Sequence, residues 1–291
     1  MRKLIAALAG AVMALGASPA LALDDVSLRL NWYLGGLHVP FYYGKDQGFY
    51  EEEGINLTIN EGRGSANTVQ VVAAGGDTFG LSDSSSLIGL ASKGAEIKSV
   101  MSLLNSTGFS VVSLAETGIR EPKDLEGKSL AVSPGDPLGQ LFQALAAHNG
   151  LDMSKINYVQ VDPAAKVVSV LEKRADGLLG GADDQFFLIK YQGHEPHALR
   201  FADHGANIVG MAISTQQSLI DGNPDLVGRF VRATVKSWAA AQENPDAAVD
   251  AAMKVKPDLN RQSTYDQMIV DFELMNSPNT SGVIGLGVEA D

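Results

Sequence analysis

LRLNWYLGGLHVPFYYGKDQGFYEEEGINLTINEGRGSANTVQVVAAGGDTFGLSD, residues 28–83, decides the fold. Three strand-to-helix units follow one another here, and each strand ends in a polar or aromatic cluster: Asn31-Trp32-Tyr33, Gly62-Arg63-Gly64-Ser65 and Ser82-Asp83-Ser84. A strand that feeds a helix and returns as a strand builds an open α/β sheet, and such sheets collect ligands beyond the carboxyl ends of their strands. A small molecule held at these turns is the expectation.

Outward from that stretch the alternation continues. Val26 to Trp32 alternates like a strand, Pro40 opens a helix, and Gly48 can end it in a left-handed cap. Ile55 to Ile59 is a strand, Ser65 an N-cap for a helix stopped by Gly75-Gly76, Thr78 to Leu81 a strand and Leu87 to Ala91 a helix. Ile97 to Leu104 and the β-branched run Ser110 to Leu114 complete a βαβαβαβ array that favours a parallel sheet. After the polar turn Pro122 to Gly127 a second array begins with a strand at Ser129 to Val132. Asp136-Pro137 then gives an N-cap with proline at the first helical position, and Leu138, Leu141, Phe142 and Leu145 form a helical stripe. Asn157 to Val161, Ala164 to Arg174 and Leu178 to Gly180 repeat strand, helix, strand. Asn207 to Ser214 reads as a strand again, and Pro224 to Asn244 is the longest amphipathic helix. The absence of a proline- or serine-rich linker puts the two arrays side by side, and the late helices are expected to return over the first.

The start is a different kind of segment. Met1-Arg2-Lys3, the apolar run Leu4 to Gly16 and Ala20-Leu21-Ala22 make a secretory signal peptide over residues 1–22, with the mature chain starting near Leu23. No later run reaches the roughly 18 apolar residues of a membrane helix, and with no cysteine the chain has neither disulfides nor a lipid-modified thiol. The bacterial periplasm is therefore the expected location. Hydrophobic residues make up 45% and charged residues 19%, enough apolar content for a large core. Losing Arg2 and Lys3 takes the net charge from −12 to about −14, which disfavours nucleic acid or anionic lipid as partner.

The ordered series Asn31-Trp32, Gly44 to Ile55, Gly62-Arg63-Gly64-Ser65-Ala66 and Phe79-Gly80-Leu81-Ser82-Asp83 resembles the substrate-binding proteins of ABC importers for thiamine-pyrimidine precursors, nitrate, sulfonates and taurine. Pro122 to Lys128 is similar to the point where that family enters its second lobe. The resemblance covers nearly all of the mature chain. It implies a type II periplasmic-binding-protein fold of class α/β, in which two lobes, each a mostly parallel sheet flanked by helices, enclose a ligand cleft. Lobe 1 would comprise 23–109 and 207–291, and lobe 2 would comprise 110–206. Hinges are expected near Thr107 to Val112 and Asp203 to Val209, with closure on the ligand and delivery to the transmembrane permease by a monomer. Members of that family usually continue past the position of Asp291, so a truncated or unusual member is expected.

Candidate ligand contacts follow from the clusters. Trp32, Tyr33, His38 and Tyr42 gather around the first helix start in a chain with only 7% aromatic residues, a group on which a heterocycle would stack. Phe41, Tyr43 and Phe49 read more simply as core, and a histidine beside a helix start is often a cap. Arg63 with the Ser65 helix start could hold an anion. Ser82, Asp83 and Ser84 could bond a ligand amine, or Asp83 could merely cap the next helix. From the second array come Ser133, Gly135 and Asp136, then Asp183, Asp184 and Gln185. Asp83, Asp136 and Asp183 aimed at one cleft would repel a sulfonate and accept from an aminopyrimidine. The resemblance thus points first to a thiamine-pyrimidine-like heterocycle, and second to a small anion anchored by Arg63.

A secreted α/β enzyme using Asp183 and Asp184 is the reading from another class. Against it, Gly62 to Asn67 lacks the third glycine of a dinucleotide turn, no Gly-x-Ser-x-Gly elbow occurs, and His194, His197 and His204 lack a second cluster for zinc. A related eukaryotic enzyme makes the thiamine pyrimidine with a cysteine-rich motif, which this chain cannot supply. No catalytic residue, metal or cofactor is expected.

Overall fold

A computed structural model describes residues 22–134, 138–276 and 284–285. The proposed signal peptide, up to residue 21, and the Gly135 and Asp136 positions lie outside the described residues. Among the described residues no helix is long and apolar enough to cross a membrane.

The chain runs β1 (Asp24–Arg29), α1 (Val39–Asp46), α2 (Phe49–Glu52), β2 (Ile55–Asn60), α3 (Ser65–Ala73), β3 (Phe79–Asp83), α4 (Ser84–Ala91), β4 (Ile97–Ser102) and β5 (Phe109–Leu114). It continues as β6 (Ser129–Val132), α5 (Leu138–His148), β7 (Asn157–Gln160), α6 (Lys166–Leu171), β8 (Gly177–Gly181), α7 (Gln185–Lys190) and β9 (Pro196–Arg200). After β10 (Met211–Gln216) follow α8 (Gln217–Gly222), α9 (Pro224–Glu243), α10 (Pro245–Val255) and α11 (Arg261–Leu274). Two five-stranded sheets result, in the orders β2-β1-β3-β10-β4 and β7-β6-β8-β5-β9.

Each sheet is mostly parallel, as expected, with a single strand running against the other four. β1 pairs in parallel with β2 and β3, but β10 runs antiparallel between β3 and β4. In the second sheet β6 pairs in parallel with β7 and β8, while β5 lies antiparallel between β8 and β9. The run at Ser110 to Leu114, which the alternation joined to the first array and the resemblance to lobe 2, belongs to the second sheet, and β10 makes the reciprocal move into the first. Both exchanged strands sit one place from an edge. β5 is buried along its whole length and β10 along all but its last residue, so their apolar runs signal centrality without revealing partner or direction.

The two exchanges run side by side. Gly210 N donates to Leu104 O at 2.9 Å, Leu103 N donates to Met211 O at 2.8 Å, and a Cβ on Gly210 would lie 2.3 Å from Ser106 O. The helices after β10 return to the first sheet, as expected. Phe230 of α9 stacks on Phe79 at 3.9 Å, Trp238 meets Phe41 edge-on, and the Tyr50 hydroxyl lies 3.2 Å from Thr234 Oγ1. Phe41 and Tyr43 are core residues as expected, and Tyr50 joins them, whereas Phe49 is only half-buried, with Lys236 Nζ 4.3 Å from its ring centre.

Candidate functional site

A cavity of about 220 Å³ lies between the two sheets, at the carboxyl ends of β1, β6 and β8. Its walls come from the loop after β1, the start of α3, the turns after β6 and β8, the first residue of α6, and α11.

The β1 wall is rigid for a reason readable atom by atom. His38 is buried; its Nδ1 accepts from Gly35 N at 3.1 Å and its Nε2 lies 2.8 Å from Asn31 Oδ1. With Nδ1 an acceptor, Nε2 carries the proton and donates to Asn31. Burial lowers the His38 pKa to about 3, against the weaker upward pull of Glu61, so the ring is neutral and ties the loop to itself. Glu61 also accepts from Leu34 N at 2.7 Å. Trp32 and Tyr33 stand half-buried on this braced loop, edge to face at 5.5 Å. Lys166 of α6 reaches from the second sheet's layer to 6.0 Å from the Trp32 ring centre.

The opposite wall is acidic. Asp183 fits where glycine flanks it on two sides, just before β5 and at the end of β8: a Cβ on Gly108 or on Gly181 would lie 2.2 Å from Asp183 Oδ1. Gln185 Oε1 accepts from Gly181 N at 2.7 Å, and its amide donates to Asp184. Asp271 of α11 is 1% exposed, and neither carboxyl oxygen has a hydrogen-bond partner among the described residues. It faces Asp183, and two ionised carboxylates offer one another only acceptors, so that contact becomes a hydrogen bond when one of them holds a proton. Burial pushes Asp184 up to about 7, with the Asp183 charge adding to it and Lys166 opposing. Burial also raises Asp183, and raises Asp271 well above the carboxylate range with both neighbouring acids contributing.

Gln267 of α11 ties the walls together. Its Oε1 accepts from Gly36 N at 2.8 Å, and its amide nitrogen lies 3.4 Å from Asp184 Oδ1. A Cβ on Gly36 would sit 2.3 Å from the Gln267 Cβ and from Met268 N, so only glycine lets α11 come this close.

Of the residues singled out in the sequence, Trp32, Tyr33, His38, Arg63, Ser65, Ser133, Asp183, Asp184 and Gln185 line the cavity. Arg63 is exposed. Ser65 is the first residue of α3 rather than its cap, a place taken by Gly64, and its hydroxyl accepts from Asp83 N at 3.1 Å. Tyr42, Ser82, Asp83 and Ser84 are not among the lining residues. Tyr42 is packed into the first core, which drives its hydroxyl pKa to about 12. Asp83 takes the capping role, accepting from Ser86 N at 2.9 Å, while Ser84 donates to Gly210 O at 3.1 Å. The reason lies in the exchange: β10 pairs Met211 with Asp83, and Met211 takes the place on the cavity wall. Sequence reasoning missed Lys166, Gln267, Asp271 and Ser263. The α11 signal was present as Ser263, Thr264, Gln267 and Asp271, polar residues at helical spacing on a buried face. Among the described residues no group of histidines and acids is arranged to hold a metal ion.

The NMT1/THI5 like family profile matches residues 36–248. The chain is 25% identical over 267 residues to the formylaminopyrimidine-binding protein of Halalkalibacterium halodurans, covering 89% of this chain and 80% of that protein. It is 26% identical over 239 residues to the 4-amino-5-hydroxymethyl-2-methylpyrimidine phosphate synthase of Legionella pneumophila, covering 80% and 74% respectively. Among solved structures, the alkanesulfonate-binding protein SsuA of Xanthomonas axonopodis pv. citri, bound to MOPS, superposes with a TM-score of 0.69 at 12% identity, over 85% of this chain and 83% of that one. That likeness is one of fold: two α/β lobes of the periplasmic-binding-protein kind. With its profile matched across most of its length, the chain belongs to the NMT1/THI5 like family.

Proposed function

We propose that this protein is the solute-binding component of an ABC importer, acting in the periplasm, and that it captures a small aminopyrimidine-like heterocycle between its lobes for a membrane permease. The observation that carries this reading is the cavity's two-sidedness: an aromatic pair, Trp32 and Tyr33, on the first sheet's side faces hydrogen-bond acceptors, Asp183 and Asp184, on the second's. A ring stacked on one wall and donating to the other gains contacts that exist only when the lobes are together, which is how a ligand selects the closed state. The volume is below the roughly 300–1,000 Å³ of drug-sized sites and suits one ring system. Relatives named for a formylaminopyrimidine and for a hydroxymethylpyrimidine phosphate point to the same chemistry.

The lobes are taken as 23–109 with 207–291, and 110–206, turning about the paired crossings at Leu103–Gly108 and Phe201–Gly210. Turnover is not part of the reading: the chain has no cysteine, and the family's cysteine-rich synthase motif has no counterpart here. A sulfonate or nitrate is disfavoured by three acids on the wall, set against the buried Lys166 and the exposed Arg63. The test is a thermal-shift titration of the chain from Leu23 with 4-amino-5-hydroxymethyl-2-methylpyrimidine and its formylaminomethyl analogue. A Tm that climbs with the logarithm of ligand concentration is expected, and Trp32→Ala should abolish the climb. No shift from a cooperatively folding sample, or a shift with taurine or nitrate instead, would overturn the reading.

A further inference from the structure

We infer that the ligand binds as an organic cation, its charged ammonium or amidinium nitrogen seated against Asp183 and Asp271 while its apolar body faces Trp32. This rests on the binding role proposed above and narrows its ligand class.

Asp271 is the reason. It is 99% removed from solvent by its 1% exposure, it lines the cavity, and both its oxygens are without a donor among the described residues. Asp183 Oδ1 is in the same condition. Two hydroxyls on the same walls are also unused: Ser263 Oγ, one helical repeat before Gln267, and Ser133 Oγ, at 2% and 7% residue exposure. Buried acceptors of this kind are costly unless something donates to them. The residues that carry these acceptors line one cavity from three elements, the turn after β6, the turn after β8, and α11.

The charges around this spot decide which donor fits. Arg200 of β9 acts on Asp183 and Lys166 of α6 acts on Asp184, whereas the charges acting on Asp271 are the carboxylates Asp183 and Asp184. Arg63 is exposed at the cavity wall and His38 is neutral. A neutral ligand would leave Asp183 and Asp271 sharing a proton between them. A cation allows both to ionise and supplies charge-assisted hydrogen bonds, which are roughly twice as strong as neutral ones.

A matched pair of ligands tests this on the unaltered protein. 4-Amino-5-aminomethyl-2-methylpyrimidine carries an ammonium where its 5-hydroxymethyl counterpart carries a hydroxyl. By calorimetry the ammonium compound should bind at least about tenfold tighter. Run in two buffers of different ionisation enthalpy, its binding should release about one proton, because the shared proton leaves as both acids ionise. Asp271→Asn should erase the tenfold preference for the ammonium compound over the hydroxymethyl one. Equal or tighter binding of the hydroxymethyl compound would overturn the cation inference and leave the importer reading standing. If neither pyrimidine binds, benzamidine against benzamide repeats the comparison without the heterocycle. Benzamidine preferred would sustain the cation and remove the pyrimidine, and binding of neither cation would overturn the inference.

Discussion

His38 and Asp184 pull the acid stability of the fold in opposite directions. His38 is neutral in the fold with a pKa of about 3, against 6.5 when free. The unfolded chain therefore binds the extra proton between these values, and stability falls as pH drops through that window. Asp184 is raised from 3.8 to about 7, so the folded chain holds the extra proton in its window, and stability falls as pH rises from about 4 to about 7. The two slopes, each limited to ~1.4 kcal/mol per pH unit, largely cancel near pH 5–6. Urea unfolding at pH 5 and pH 7 separates them: His38→Gln should favour pH 5, and Asp184→Asn should favour pH 7. Identical pH dependence in all three proteins would show that these groups titrate alike folded and unfolded. At this scale the sequence announced aromatics and acids because each stands at a strand end. It could not separate Asp183, which faces the cavity, from Asp83, which caps α4, since both are acids that follow a strand. Only the packing of β10 against β3 distinguishes them.

That distinction is testable at the level of elements. Asp83→Ala should remove the α4 cap and about 1 kcal/mol of stability with ligand affinity unchanged. Gln267→Ala should act on both quantities, because it strips Gly36 N of its acceptor and loosens the contact to Asp184. A buried donor left without a partner costs about 1–3 kcal/mol, read as a lower urea midpoint at unchanged slope. A loss of affinity in the Asp83 variant would place β3's end at the ligand after all. The central strands and α9 were legible because burial follows their apolar residues. α11 was not, because the face it buries is polar: a stripe of Ser263, Thr264, Gln267 and Asp271 looks like a solvated surface until another wall is known to face it. A helix that buries polar residues against a cavity breaks the pattern that finds helices, and here that helix supplies the most deeply buried acid of the site.

For the whole molecule, the two-lobed α/β architecture was legible from the alternation and its restart at Ser129, whereas the strand exchange was implied only by the family resemblance, because an apolar run carries no direction. The exchange matters for motion, since it joins the sheets by adjacent crossings and leaves the far side of the cavity to be closed by α11. Three contacts make that closure: Gln267 to Asp184, the Tyr191 hydroxyl donating to Asp266 Oδ2 at 2.6 Å, and Lys190 to Asp266 at 3.3 Å. α7 carries Lys190 and precedes Tyr191 in the second sheet's layer, whereas α11 packs on α10 and on the Gly36–His38 turn of the first. Tyr191 is not among the cavity-lining residues, so Tyr191→Phe leaves every ligand contact in place and removes one link that exists only when the lobes meet. A hydrogen bond to a charged group contributes about 1.5–3 kcal/mol. Losing it should lower apparent affinity about tenfold or more, as the closed population shrinks before ligand arrives. Small-angle scattering should register the same change as a larger radius of gyration without ligand and the parent radius at saturation. Unchanged affinity together with an unchanged radius would mean that the lobes are held by the crossings alone, and the closing role of α11 would then have to be abandoned.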